Sequence, residues 1–214
     1  MQHTLPGTGE LHIWCWPAPA ARPGRGKRQG FRGPALVVLA GYLGQPAAVL
    51  RTACESGGKP RLAGAPHLHF SWSDSGGAGV LAVSAGPVGI DLETHRLRGR
   101  DDLAHRLLDP AAWAAYLDLT PAARALAFSH AWTQREAFVK ATGLGLGDGW
   151  PSMRAAFEDR GPAPGPIASH HPLEGGRWHL RTIALWPGFA CTACTSHVVQ
   201  CLRLREPPRD AMTA

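Results

Sequence analysis

Asp91 and Glu93 stand either side of one leucine in GPVGIDLETHR, directly after an apolar run. On an extended strand, residues two apart share a face, so both carboxylates point one way and Leu92 points the other. Neighbouring carboxylates repel, and one of them resists ionising unless a cation lies between them. Hard oxygen donors so arranged suit Mg²⁺, which takes one or two carboxylates with phosphate oxygens and waters. Taken alone, however, the two acids better fit a strand end running into solvent. Further along, HAWTQREAFVKATG places Glu136 and Lys140 four apart, on one helix face. Trp132 and Val139 form an apolar stripe there, with Arg135 near its edge. Taken alone, this is an amphipathic helix with one Glu–Lys pair.

Stretches flanking these residues predict the elements that must hold them. Ala35–Ala53 reads as a helix broken near Gly44–Pro46, followed by an apolar segment. HLHFSWSDSGG starts as a strand with His67, His69 and Ser71 on one face and Leu68, Phe70 and Trp72 on the other. AGVLAVSAG and VGIDLE are two further strands. Helices follow at DDLAHRLLD, at PAAWAAYLDL with Pro110 in its first turn, and at PAARALAFSHAWTQREAFVKATG. The last has Thr120 as N-cap and Gly143 as its stop. MRAAFE, RWHLRTIAL and FACTACTSHVV read as strands, and REPPRDAMTA as a frayed end.

Composition narrows the class. The chain has 214 residues and is 44% apolar, which suits a globular protein. No apolar run is long enough to span a membrane, and the N-terminus lacks a secretory apolar core, so a cytoplasmic protein is expected. The charge is +6 and unevenly spread. Residues 1–88 hold eight Lys/Arg against three Asp/Glu; residues 89–214 hold fourteen against thirteen. A basic first part suits a phosphate-bearing ligand, an acidic protein partner or nucleic acid. Cys191 and Cys194 form a CxxC, but on a strand they point to opposite faces, so free thiols are expected. GLGLGDG follows a helix where a dinucleotide loop would precede one, so it reads as a cap and loop. His67 and His69 lack a third ligand and read as surface residues. Eight tryptophans and the basic charge raise nucleic-acid binding as a competing reading, but no module presents such a surface.

VGIDLE followed some forty residues later by WTQREAFVK resembles the signature of the Sfp-type 4′-phosphopantetheinyl transferases. GGKPRL and FSWSDSGG lie upstream, where that family has its Gly-Lys-Pro and strand-plus-Ser motifs, and PGFACTAC resembles its final strand. The resemblance runs in order from about Arg32 to Cys201. It implies an α+β fold of two pseudo-symmetric lobes, each a small antiparallel sheet packed with helices. Residues 1–87 would form the basic lobe on the coenzyme A side, and residues 88–214 the lobe carrying the acids.

The family moves the phosphopantetheine arm of coenzyme A onto a carrier-protein serine. By resemblance, Asp91, Glu93 and Glu136 would ligate Mg²⁺, with Glu136 and Lys140 as the catalytic pair and Lys140 on the pyrophosphate. Lys59, Ser73 and Asp74 would lie along the coenzyme A cleft, with Arg28, Arg32 and Arg51 as candidates for the 3′-phosphate. The implied partner is an acidic acyl or peptidyl carrier protein of a polyketide, nonribosomal-peptide or fatty-acid synthase. A monomer is expected, with neither nucleic acid nor membrane as a partner.

Three positions depart from the family pattern. Asp74 stands where His is common, Ala112 where an acid is frequent, and Arg135 where Lys is usual. A carboxylate at 74 would repel a phosphate, and Ala112 removes one possible acidic ligand. These two changes motivate the alternative of a non-catalytic coenzyme A or carrier-protein binder of the same fold.

Overall fold

The computed structural model describes residues 2–18, 31–54, 58–95, 101–108, 110–144, 165–168 and 177–213. The expected strand MRAAFE and the candidate Arg28 lie outside them. The chain runs β1 (Glu10–Trp16), α1 (Arg32–Leu43), a 3₁₀ turn (Ala47–Val49), β2 (Thr52–Cys54), β3 (Pro60–Leu62), β4 (His69–Ser75), β5 (Ala78–Ser84) and β6 (Val88–Thr94). Then come α2 (Asp101–Leu107), α3 (Pro110–Leu117), α4 (Pro121–Thr142), β7 (Gly165–Ala168), β8 (Arg177–Thr182), β9 (Phe189–Thr195), β10 (Cys201–Arg205) and a short α5 (Asp210–Thr213). The class is α+β, as expected.

The strands form two four-stranded sheets, in the orders β10-β1-β5-β4 and β6-β9-β8-β7, and a small β2–β3 ribbon. Period-2 alternation decides how the sheets stack. Leu11, Ile13, Ala78, Val80 and Ala82 of the first sheet meet Val88, Ile90, Leu92, Cys191 and Ala193 of the second in one shared apolar layer. The outer face of the first sheet, with Trp14, Trp16, Phe70, Leu81 and Val83, is covered by α1 and by Ala211 of α5. Ala137, Phe138 and Ala141 of α4 cover the outer face of the second through Trp178, Leu180 and Cys194. The layers therefore run helix, sheet, sheet, helix, and the two sheets depend on each other for burial.

The termini of α4 follow the chemistry read from the sequence. The Thr120 side chain accepts from the Ala123 amide at 3.3 Å, Pro121 opens the helix, and Gly143 closes it at φ 76° with its N–H on Val139 O. α2 and α3 pack on the first half of α4 through Leu107, Ala112, Tyr116 and Phe128. That leaves its second half free to lie on the sheet.

Two expectations change. The tail is not frayed: β10 pairs in parallel with β1, from Glu10↔Cys201 to Trp14↔Arg205. Ala211 is fully buried, and Trp16 Nε1 donates to its carbonyl at 2.9 Å. Residues 201–213 thus build onto the first sheet, not the second lobe, and make that sheet mixed where an antiparallel one was expected. The Leu-Arg alternation of β10 is not matched by alternating burial, and Leu204 stays exposed. Arg135 is also placed differently from the reading: it is 1% exposed, fully buried and not at an edge.

Candidate active site

Gly89, Asp91 and Glu93 share the face of β6 turned toward α4. Gly89 makes the approach possible. A Cβ there would stand 1.9 Å from Ala137 O and 2.4 Å from Ala141 N, distances no side chain tolerates. With only hydrogen at that position, α4 settles backbone-close on the strand and carries Glu136 and Lys140 over the acids. Lys140 Nζ donates to Asp91 Oδ1 at 2.6 Å. Asp91 is buried at 5% exposure, so the carboxylate side of this ion pair is shielded from water, while Lys140 is partly exposed. Beside Asp91 on the next strand, Thr192 Oγ1 meets Thr133 Oγ1 of α4 at 3.0 Å.

Burial holds the Glu136 carboxyl above the usual carboxylate range, and the like charges of Asp91 and Glu93 push the same way. Lys140 and Arg135 oppose that shift. Asp91 Oδ2 and Glu136 Oε1 are both buried without a hydrogen-bond partner. Orphaned carboxylate oxygens are what a hard divalent cation satisfies, and an all-carboxylate donor set is the type Mg²⁺ takes. Among the described residues, no three His, Cys, Asp or Glu side chains are gathered tightly enough to enclose an ion. The positive charge at the row comes from the Lys140 ammonium.

Serines of β4 brace the row from the other side. β4 and β6 are edge strands of different sheets, and they are stitched by side chains. Ile90 N donates to Ser71 Oγ at 3.1 Å, and Thr94 N to Ser75 Oγ at 3.2 Å. Ser73 Oγ donates to Asp91 Oδ1 at 2.8 Å and Ser75 Oγ to Glu93 Oε2 at 3.0 Å.

The chain matches the family model described as the 4′-phosphopantetheinyl transferase superfamily over residues 87–194, half of its length, from the start of β6 to the end of β9. The chain belongs to that superfamily. It is 31% identical over 142 residues to a 4′-phosphopantetheinyl transferase, psf-1, of Bacillus pumilus, a match covering 66% of this chain and 58% of the relative. It is 34% identical to a Bacillus subtilis 4′-phosphopantetheinyl transferase over 49% of this chain and 46% of that one. To the transferase Sfp of Bacillus subtilis strain 168 it is 26% identical, over 69% and 64%. The chain thus spans between about half and two thirds of the length of these curated relatives.

The remaining positions singled out by resemblance to this superfamily are dispersed. Lys59 Nζ donates to Val88 O at 3.2 Å and to Ala141 O at 2.9 Å, tying the start of β6 to the last turn of α4. There an ammonium also complements the helix C-terminus. Ser73 is committed to Asp91. Asp74 is exposed, on the strand face of Phe70 and Trp72, turned away from the serines that reach β6. Arg32 bonds Thr52 Oγ1, and Arg51 donates to Ala48 O at 2.8 Å. Both are on the first sheet's side, away from the acid row. Ala112 packs into the apolar α2–α3–α4 cluster, so that position is core here.

Sequence reading missed Gly89, Ser71 and Ser75. The signal for the serines was their alternation, Ser-x-Ser-x-Ser, which puts three hydroxyls on one strand face. His95 and His130 also meet beyond Glu93, ring centroids 6.0 Å apart, both held below the usual imidazole range by burial.

Proposed function

We propose that this chain transfers the 4′-phosphopantetheine group of coenzyme A to a serine of an apo acyl or peptidyl carrier protein, releasing 3′,5′-ADP. The observation that carries the reading is the meeting of VGIDLE and WTQREAFVK in one partly buried row, Asp91–Lys140–Glu136, with two buried carboxylate oxygens left without partners. The relatives' names point the same way.

In this reading the serine oxygen forms a new bond to the β-phosphorus, and the bond from that phosphorus to the oxygen of 3′,5′-ADP breaks. Asp91, Glu93 and Glu136 would hold Mg²⁺, which offsets charge on the pyrophosphate when bound. Lys140 stabilises the charge developing on the leaving phosphate. The ionised Glu136 carboxylate, whose proton affinity burial raises, takes the serine proton directly or through a water. Coenzyme A would lie in a cleft between the two lobes with the acids at its mouth, with Lys59, Ser73 and Asp74 along its path and the basic residues Arg28, Arg32 and Arg51 toward its 3′-phosphate. Residues 1–87, joined by the returning tail, form the coenzyme A lobe, and the lobe beginning at residue 88 carries the acids. The two are taken as pseudo-symmetric.

A charge of +6 suits an acidic carrier protein. The carriers of polyketide, nonribosomal-peptide or fatty-acid synthases fit, with the enzyme a cytoplasmic monomer. No helix among the described residues is long and apolar enough to cross a membrane.

The test is incubation with coenzyme A, Mg²⁺ and apo-carrier proteins. A carrier mass gain of one phosphopantetheine group is expected. Coenzyme A binding with no gain across several carriers would overturn transfer and favour the non-catalytic reading.

A further inference from the structure

We propose that Ser75, together with Ser73, is a positioning residue: the two hydroxyls orient Glu93 and Asp91 so that the carboxylates face a bound divalent cation. This rests on the reading of the acid row given above.

The three seam serines do not make equivalent bonds. All are buried, at 5–7% exposure. Ser71 is an acceptor, taking the Ile90 amide at 3.1 Å. Ser73 reaches a carboxylate, donating to Asp91 Oδ1 at 2.8 Å. Ser75 does both, accepting from Thr94 N at 3.2 Å and donating to Glu93 Oε2 at 3.0 Å. Its single proton is thereby directed: the lone pair side is fixed on the amide, and the hydrogen is left for the carboxylate. Asp91 Oδ1 receives both Ser73 and Lys140, which saturates that oxygen and leaves Oδ2 buried without a partner. A carboxylate held by one oxygen presents the other in a fixed direction. Outer partners of that kind set ligand orientation, and their loss typically weakens metal binding about 10–100-fold.

The backbone makes the Ser75 placement rigid. β4 turns into β5 through Gly76 and Gly77, at φ 57° and 99°, the left-handed conformations of a tight hairpin. A Cβ on Gly76 would meet Thr94 Cγ2 at 2.3 Å. The turn therefore closes directly on the residue after Glu93, and Ser75 has no room to drift from it.

Ser71 supplies the control, because it stitches the same strands without touching a carboxylate. Mn²⁺ binding to the full chain, with coenzyme A present, would be followed by electron paramagnetic resonance, with thermal midpoints measured alongside. Ser75→Ala and Ser73→Ala are expected to weaken Mn²⁺ binding by about tenfold or more. Ser71→Ala should stay within about twofold of the parent while losing comparable thermal stability. Ser75→Thr, which keeps the hydroxyl, should recover most of the affinity. Equal weakening in all three alanine variants would show a purely structural seam and overturn the proposal, as would parent-like affinity in Ser75→Ala. If Ser75→Ala does not fold, Ser73→Ala carries the same comparison. Asp91→Asn separates the underlying reading: Mn²⁺ affinity unchanged by it would mean the acid row is not the metal site, and both readings would fall together.

Discussion

On β6, Ile90 and Leu92 enter the dry layer shared by the two sheets, while Gly89, Asp91 and Glu93 turn toward α4. The first face is filled by apolar side chains from β1, β5 and β9. The second meets an ammonium, two hydroxyls and a third carboxylate. Seven residues thus carry two different tasks, kept apart only by the alternation of side chains along a strand. The dry face stabilises the fold without regard to chemistry. The polar face is costly, since buried carboxylates need partners, and two of its oxygens still have none. Polar groups left incompletely paired at a specific place mark where a ligand is missing, which is why this face, and not the larger apolar core, points to function.

The largest expected effect breaks the polar face alone. Asp91→Asn keeps shape and removes charge; transfer to a carrier protein should fall by about a thousandfold or more, roughly 4 kcal/mol of transition-state stabilisation. Its denaturation midpoint should move little, because Lys140 can turn to solvent. Steady-state kinetics beside urea unfolding measures both, and a variant with full activity would contradict the site. Gly89→Ala attacks both faces at once, because its methyl would displace α4. About 3 kcal/mol or more of stability should go, together with transfer, since backbone atoms are in the way.

Leu92→Ala breaks the dry face. It should cost about 3 kcal/mol in chemical denaturation, with the activity of the folded fraction kept. If Leu92→Ala abolished transfer while fully folded, the separation of the two faces would be wrong.

The smallest effect comes from the first sheet, where β1 repeats the pattern: Leu11 and Ile13 enter the dry layer, and His12 faces α1. His12 Nδ1 lies 2.7 Å from Tyr42 Oη, and burial holds its imidazole below the usual range. A neutral buried histidine gives stability that is present above the unfolded value of about 6.5 and lost as pH falls through the lower folded value. The thermal midpoint should therefore drop modestly from about pH 7 to about pH 5. His12→Gln should flatten part of that slope. Half-buried His3, His95, His130 and His197 shift in the same direction and contribute the rest.

Much of this is legible in the sequence itself. The shared face of Asp91 and Glu93, the shared face of Glu136 and Lys140, Thr120 and Gly143 at the ends of α4, and the opposed faces of Cys191 and Cys194 follow from local periodicity. Both of those cysteines are buried and free, in different apolar clusters. Arg135 was misplaced for an identifiable reason: its charge suggests an edge, but a guanidinium on a long apolar stem can be buried, as it is here. The tail REPPRDAMTA was misread because its ten residues carry no apolar repeat, and the contacts that hold it, Arg205 beside Trp14 and Ala211 O to Trp16, join residues nearly two hundred apart in the chain.

The sequence alone determined the strand and helix that carry the acids, and which side of each they occupy, because those are consequences of repeat geometry over a few residues. Only the tertiary structure decided that the two sides meet. Lys140 chose Asp91, forty-nine residues away, because Gly89 lets α4 close on β6. Ser73 and Ser75 reached the acids because two sheet edges come together without a backbone ladder. Such pairings depend on packing between distant segments, and no local pattern specifies them.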